Sequence, residues 1–267
     1  MNRIKRAYDE GQKFRVIIFL PLEPAFSGEI RFTQSIKTIL KYTYRTICRH
    51  DGKSLVEQLI SHMGGRYIEY ISFFSLRNHA ILKGSPKQVM IYIHAKLLLV
   101  DDEKLIIGSA NLNDRSMLGD RDSELAVLLE GGHMKKINGR EVSSLVYDLR
   151  IKILSLYTGI KDDVTCLIDP ISDGFWNLIN QIAYKNTKLY RDIFKCIPDD
   201  IYTSFEDFKY SHNELCFQCL VVIREKYLKL KDMIQGFIVD FPLSYLKEEN
   251  LDRGFSKEKV VSVDMFL

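Results

Sequence analysis

Residues 93–111 read IHAKLLLVDDEKLIIGSAN. Six chemically distinct types stand there at fixed positions, in the pattern HxKx4Dx6GSxN: His94, Lys96, Asp101, Gly108, Ser109 and Asn111. A histidine titrates near neutrality, so it can attack phosphorus as neutral imidazole or protonate a leaving oxygen as imidazolium. A lysine supplies positive charge to phosphate oxygens. Serine and asparagine supply hydrogen-bond donors that do not titrate. Together these types suit transfer at a phosphate, and polar groups amid strands this apolar are costly unless they have a purpose.

The elements around the motif must bring these groups together. Side chains alternate along a strand, so His94 and Lys96 share a face and Asp101 points away from them. A hairpin centred on Asp102 and Glu103 sets Asp101 opposite Lys104, Lys96 opposite Ser109 and His94 opposite Asn111. Directly paired residues share a face about 5 Å apart, so His94, Lys96, Ser109 and Asn111 are expected on one patch. Asp101 is left a structural role with an arginine or backbone partner. The flanking Leu97, Leu99, Ile106 and Ile107 are apolar, which predicts buried strands.

Further out, FRVIIFL (14–20) is a short apolar run ending at Pro21 and reads as a strand covered on both faces. Helical spacing recurs over 29–48 and over 54–63, the latter stopping at Gly64-Gly65. Residues 67–76 read as a strand, and 78–88 as a loop because of Gly84 and Pro86. Strands are expected over 89–100, 104–108 and 125–129, the last of them buried, with a polar loop over 111–121. Helices follow over 142–157, 175–194 and 214–234, then a strand over 237–243. This alternation predicts an α/β fold, an α-β-α sandwich. Residues 1–140 are expected to form the unit that carries the motif, and 141–267 a helix-rich part packed on it.

Composition excludes several classes. The chain has 267 residues, 46% of them apolar, with a net charge of only +3, so no nucleic-acid partner is expected. Five scattered cysteines argue against a disulfide framework and for a reducing compartment. Cys216 and Cys219 form a lone CxxC that reads as one face of a helix, and no metal site is completed. The apolar run Val16–Leu20 is too short for a signal sequence, and no stretch reaches membrane-spanning length. The chain is therefore expected in the cytoplasm, with any membrane contact peripheral. Lys37, Lys41, Arg45 and Arg49 recur every four residues, which suits an anionic headgroup or a solvated helix face. REKYLKLK (224–231) reads as a solvated face and Trp176 as core.

At this level of detail the chain resembles the phospholipase D superfamily. HAKLLLVD and GSAN match its motif. YTYRTICR (42–49), ISFFSLR (71–77), IYIHAK (91–96), IIGSANLNDRSMLGDRDSELAVLLE (106–130), DPISDGFW (169–176) and FPLSYLKEE (241–249) resemble the C-terminal half of eukaryotic phosphatidylcholine-hydrolysing phospholipase D. LPLEPAFSGEI (20–30) fits as well. The resemblance implies that His94 is a nucleophile or general acid, that Lys96 and Asn111 hold phosphate oxygens, and that Ser109 supports them. It implies that Asp101 is the motif aspartate and that Glu124 accepts a hydrogen bond from the histidine ring. It implies no cofactor and no metal, and it implies phosphoinositide and small GTPase regulators for the family.

That reaction requires two histidines on opposite sides of phosphorus. Of His50, His62, His79, His94, His133 and His212, only His94 stands in an HxK setting; His79, in LRNHA, resembles a position at the active-site rim. The second motif is therefore expected from a separate chain, a missing N-terminal half or a second copy of this chain. With a partner half, His94 is expected to be the general acid; in a homodimer either copy attacks. The leading expectation is a half of a phosphatidylcholine-hydrolysing phosphodiesterase at a membrane surface. The alternatives are a single-motif homodimeric nuclease or cardiolipin-type phosphodiesterase, and a catalytically silent lipid-binding fragment.

Overall fold

The computed structural model describes residues 1–25, 28–112, 114–117, 119–210 and 217–251. His212, Cys216 and the tail from residue 252 lie outside the described residues. In chain order the elements are α1 (Asn2–Asp9), β1 (Val16–Phe19), α2 (Gln34–Ile47), α3 (Leu55–Met63), β2 (Ile71–Leu82), β3 (Ser85–Met90), β4 (Lys96–Val100) and β5 (Lys104–Gly108). They continue through α4 (Asp114–Met117), β6 (Ala126–Glu130), β7 (Met134–Ile137), β8 (Arg140–Ser143), α5 (Ser144–Thr158), α6 (Asp173–Phe194), α7 (Phe217–Leu230) and β9 (Ile238–Asp240).

The first half of β2 is the centre of the fold. β1 runs parallel to it with Val16 beside Ile71, and β9 runs antiparallel on its other side with Phe74 beside Asp240. Its side chains alternate into two cores, as a strand covered on both faces must. Ile71 and Phe73 pack with Ile4 of α1, Leu40 of α2 and Leu59 of α3. Phe74 packs with Leu154 of α5 and with Phe175, Ile179 and Ala183 of α6. Helix, sheet and helix therefore form the expected α-β-α layers, and the helix-rich part contributes β9 to the sheet. α7 adds Ile223 and Tyr227 to a third cluster built on Tyr190 and Phe194 of α6. Trp176 is core, as expected.

Local signals explain the helix ends. Ser54 and Glu57 form a reciprocal capping box at the start of α3, and Gly64 stops that helix with φ of 60°. Ser172 caps α6 by accepting from the Phe175 N–H.

Three expectations about strands are corrected. Residues 78–88 are not a loop: β2 continues to Leu82 and turns into β3. Lys83 and Gly84 take φ of 49° and 78°, the left-handed pair of a two-residue hairpin turn. Residues 89–100 are not one strand: β3 ends at Met90, β4 begins at Lys96, and His94 lies in the irregular segment between them. Residues 125–129 form a strand but not a buried one, since every residue of β6 is exposed.

Candidate active site

The motif sits on a separate three-stranded sheet of order β4-β5-β6. Its register differs by one residue from the sequence expectation. Val100 pairs with Lys104 and Lys96 with Gly108, so the loop between them is Asp101-Asp102-Glu103. Asp101 and Asp102 take φ of 54° and 61°, left-handed values that aspartate tolerates better than most residues. The extra loop residue cancels the predicted pairs of Lys96 with Ser109 and of His94 with Asn111, because a one-residue slip exchanges the faces.

The groups are nonetheless gathered, by a different device. Lys96 starts β4, Gly108 ends β5 and Ala126 starts β6, and these three pair in one row at the end of the sheet. His94, Ser109, Asn111 and Glu124 all leave from that same end. Gly108 is required there, since a Cβ on it would stand 2.7 Å from the Leu125 carbonyl oxygen and 2.8 Å from the Ala126 Cβ. The glycine of GSxN thus lets the irregular segment entering β6 close on the motif.

Beyond that row the polar groups are linked. The Ser109 N–H donates to the Leu125 carbonyl at 2.9 Å, and the Leu125 N–H donates back to the Ser109 hydroxyl at 2.9 Å. The Ser109 hydroxyl donates to the Glu124 carboxylate. Glu124 also bonds Ser116, whose hydroxyl oxygen accepts from the Asn111 N–H at 3.1 Å. The hydrogen bond from Ser109, then that from Ser116, hold the Glu124 carboxyl below its ordinary pKa, and the charge of Lys96 acts in the same direction. Glu124 is therefore an anion at neutral pH. Its partners are these serines; the hydrogen bond from the His94 ring that the resemblance implied is not among its described contacts.

His94 is exposed, with its ring centroid 6.0 Å from that of Tyr92. The half-buried Lys96 folds back so that its ammonium donates to the His94 carbonyl at 2.7 Å. Ser109, Asn111 and Glu124 are exposed as well. The arrangement is an open shelf carrying one imidazole, one ammonium and neutral donors beside a fixed carboxylate.

Asp101, given the structural role on parity, is exposed. The neighbouring Asp102 is buried at 3% exposure and takes that role. Arg150 of α5 grips it through two hydrogen bonds of 2.6 and 2.8 Å and donates further to the Leu167 and Ile168 carbonyls. The sequence reading missed Asp102, Arg150 and Ser116. The doubled aspartate in VDDE was the available signal for Asp102; nothing local marked Arg150, 48 residues away.

The basic row on α2 is turned largely to the fold. The Lys37 ammonium sits 5.0 Å over the Phe205 ring. The Arg45 guanidinium meets the His50 ring at 2.5 Å. Arg49, beyond the helix end, donates to the Tyr245 carbonyl at 2.9 Å and stacks 3.8 Å over Tyr44. Lys41 is half-buried on the same helix. His79 is engaged with α7: its ring bonds the Tyr227 hydroxyl at 3.0 Å, and burial lowers its pKa.

An α/β sandwich in which HxK and GSxN meet at one end of a sheet, with the motif aspartate in the turn at its other end, defines a protein of the HKD class. A family model described as phospholipase D matches residues 77–196. Phospholipase D1 of Mus musculus is 38% identical across 99% of this chain, and phospholipase D2 of Bos taurus is 38% identical across all of it. Phospholipase D zeta 1 of Arabidopsis thaliana is 32% identical across 97%. The chain belongs to the phospholipase D family. It spans about a quarter of the length of these relatives: 25%, 29% and 26%, respectively.

Proposed function

We propose that the chain is one half of a phospholipase D-type phosphodiesterase that cleaves phosphatidylcholine-like lipids to phosphatidate and a headgroup alcohol. The observation that carries this reading is the row of Lys96, Gly108 and Ala126, which sends His94, Ser109, Asn111 and Glu124 from one sheet end. Residues 1–140 supply this half-site, and 141–267 pack on it.

Lys96 and Asn111 hold the phosphate oxygens. Ser109, fixed by Glu124 and Leu125, keeps the donor edge in place. His94 and a second motif histidine lie on opposite sides of phosphorus. One attacks and forms a phosphohistidine; the other, as imidazolium, gives its proton to the departing alkoxide. The second then takes a proton from water, whose oxygen displaces the histidine and releases phosphatidate. The second motif comes from a partner half or another copy, and Asp101 shapes the turn rather than the chemistry. Phosphoinositide and small GTPase regulators belong to this reading as family properties; for Lys37, Lys41, Arg45 and Arg49 to be the headgroup contact, Lys37, Arg45 and Arg49 must leave Phe205, His50 and Tyr245.

Choline release from phosphatidylcholine vesicles tests it, with His94→Ala as control and with the chain supplied both alone and beside a polypeptide bearing another HxKx4D motif. Release that needs His94, with a loss of about a hundredfold or more in the variant, is expected. Release unaffected by His94→Ala in every combination contradicts it.

A further inference from the structure

The longest departure from the sequence reading, the β2–β3 hairpin, has no task in the site described above. One face rests on the body of the protein: Arg77 is buried, Pro86 is buried, and His79 bonds Tyr227 of α7. Pairing of Asn78 with Val89, Ala80 with Lys87 and Leu82 with Ser85 puts those six residues on the other face. There Leu82 is 61% exposed and Val89 57%, and Ile81 at the tip is 53% exposed. Lys83 in the turn and Lys87 on β3 are also exposed.

Charge on this finger has one sign. From residue 70 to residue 100 the chain contains no Asp or Glu. An apolar tip with lysines on its flanks is poorly suited to water. It suits the boundary of an anionic bilayer, where the tip enters the acyl region and lysines reach back to phosphates. The finger also leads directly to the motif. After Met90 the chain is tied back by the Ile91 N–H to the Leu76 carbonyl at 2.9 Å, passes the exposed Tyr92 and reaches His94.

We propose that the β2–β3 hairpin is the surface by which the chain sits on an anionic phospholipid membrane, with Ile81 and Leu82 inserted and Lys83 and Lys87 at the phosphate level. The choice of lipid as occupant rests on the phospholipase reading above. The hairpin thereby holds His94 close to the layer where the scissile phosphodiesters lie.

The full chain is sedimented with vesicles of phosphatidylcholine, with and without phosphatidylserine. Ile81→Ser and Leu82→Ser each weaken binding about tenfold. Lys83→Gln and Lys87→Gln each weaken it about fivefold, only on the phosphatidylserine vesicles, and added salt removes that difference. Circular dichroism of each variant matches wild type, because the altered side chains are exposed. Unchanged partitioning of the Ile81→Ser, Leu82→Ser double variant overturns the proposal. It is equally overturned if that variant loses a partner polypeptide bearing a second motif while keeping its vesicles, which would make the finger a protein interface. His94→Ala partitions like wild type. If the hairpin variants fall off vesicles while no combination of chains releases choline, the membrane finger stands and the catalytic reading fails. If His94-dependent release persists and partitioning ignores the hairpin, the finger fails alone.

Discussion

Two sheets of similar apolar composition have opposite surroundings. The sheet around the first half of β2 is closed on both faces by the chain's own helices, and Phe74 is fully buried. In the β4-β5-β6 sheet Leu105 is buried, yet Leu98, Ile107, Val127 and Leu128 are exposed. The first sheet is a scaffold completed from within. The second carries the motif and displays apolar surface of a kind that folded chains usually cover. The chain thus completes its scaffold and leaves its chemistry open, consistent with half a site.

The sharpest way to break this comparison is to damage each sheet's support. Arg150→Ala strands the buried Asp102 carboxylate and is expected to cost about 3–5 kcal/mol in denaturant unfolding. The pair Asp102→Asn with Arg150→Met recovers part of that loss, since no charge is left buried; asparagine also accepts the left-handed backbone there. Phe74→Ala opens a cavity between the sheet and α6 and costs about 3–5 kcal/mol by the same measurement.

A smaller effect comes from the closed side of the molecule. Burial, and then the nearby Asp200 charge, raise the Asp240 carboxyl to a pKa of about 6. A carboxyl raised on folding is most favourable to the fold while protonated. Stability is therefore lost as pH rises from the ordinary carboxylate range through about 6. Asp240→Asn is expected to flatten that window and to raise stability at pH 7 by on the order of 2 kcal/mol, read from unfolding midpoints across pH. The smallest effect is expected in the open sheet, where Leu128→Ala shifts unfolding by no more than about 0.5 kcal/mol in the isolated chain. A loss as large as that of Phe74→Ala would show that both sheets are closed and erase the contrast.

How far the sequence revealed this depends on whether a signal was local. The helices were legible because apolar spacing marks their faces and Gly64 marks an end; the caps at Ser54 and Ser172 show only in the structure. The motif was legible because six residue types stand at fixed positions, HxKx4Dx6GSxN, in a pattern that the family shares. The hairpin register was not, because two-residue and three-residue turns both place a pair of residues in left-handed backbone, and the polar run from Asp101 to Glu103 does not say which pair that is. The β2–β3 hairpin was hidden by Gly84 and Pro86, which mark a loop on average; here Gly84 completes a two-residue turn with Lys83, and Pro86 lies on the short edge strand β3. Asp102 and Arg150 were out of reach because their contact crosses 48 residues. Exposure of β6 was misjudged because an apolar run predicts burial without saying whether the covering surface lies in the same chain.

The central claim, that this chain holds one half of a two-histidine site, is tested most directly by the specific activity for choline release. It is measured as chain concentration rises and as a polypeptide bearing a second HxKx4D motif is titrated in. The account predicts negligible release from the dilute chain and a rise that saturates when each His94 has a partner histidine, supplied by the added polypeptide or by a second copy. Constant, His94-dependent specific activity from a chain that sedimentation shows to be a monomer would contradict it.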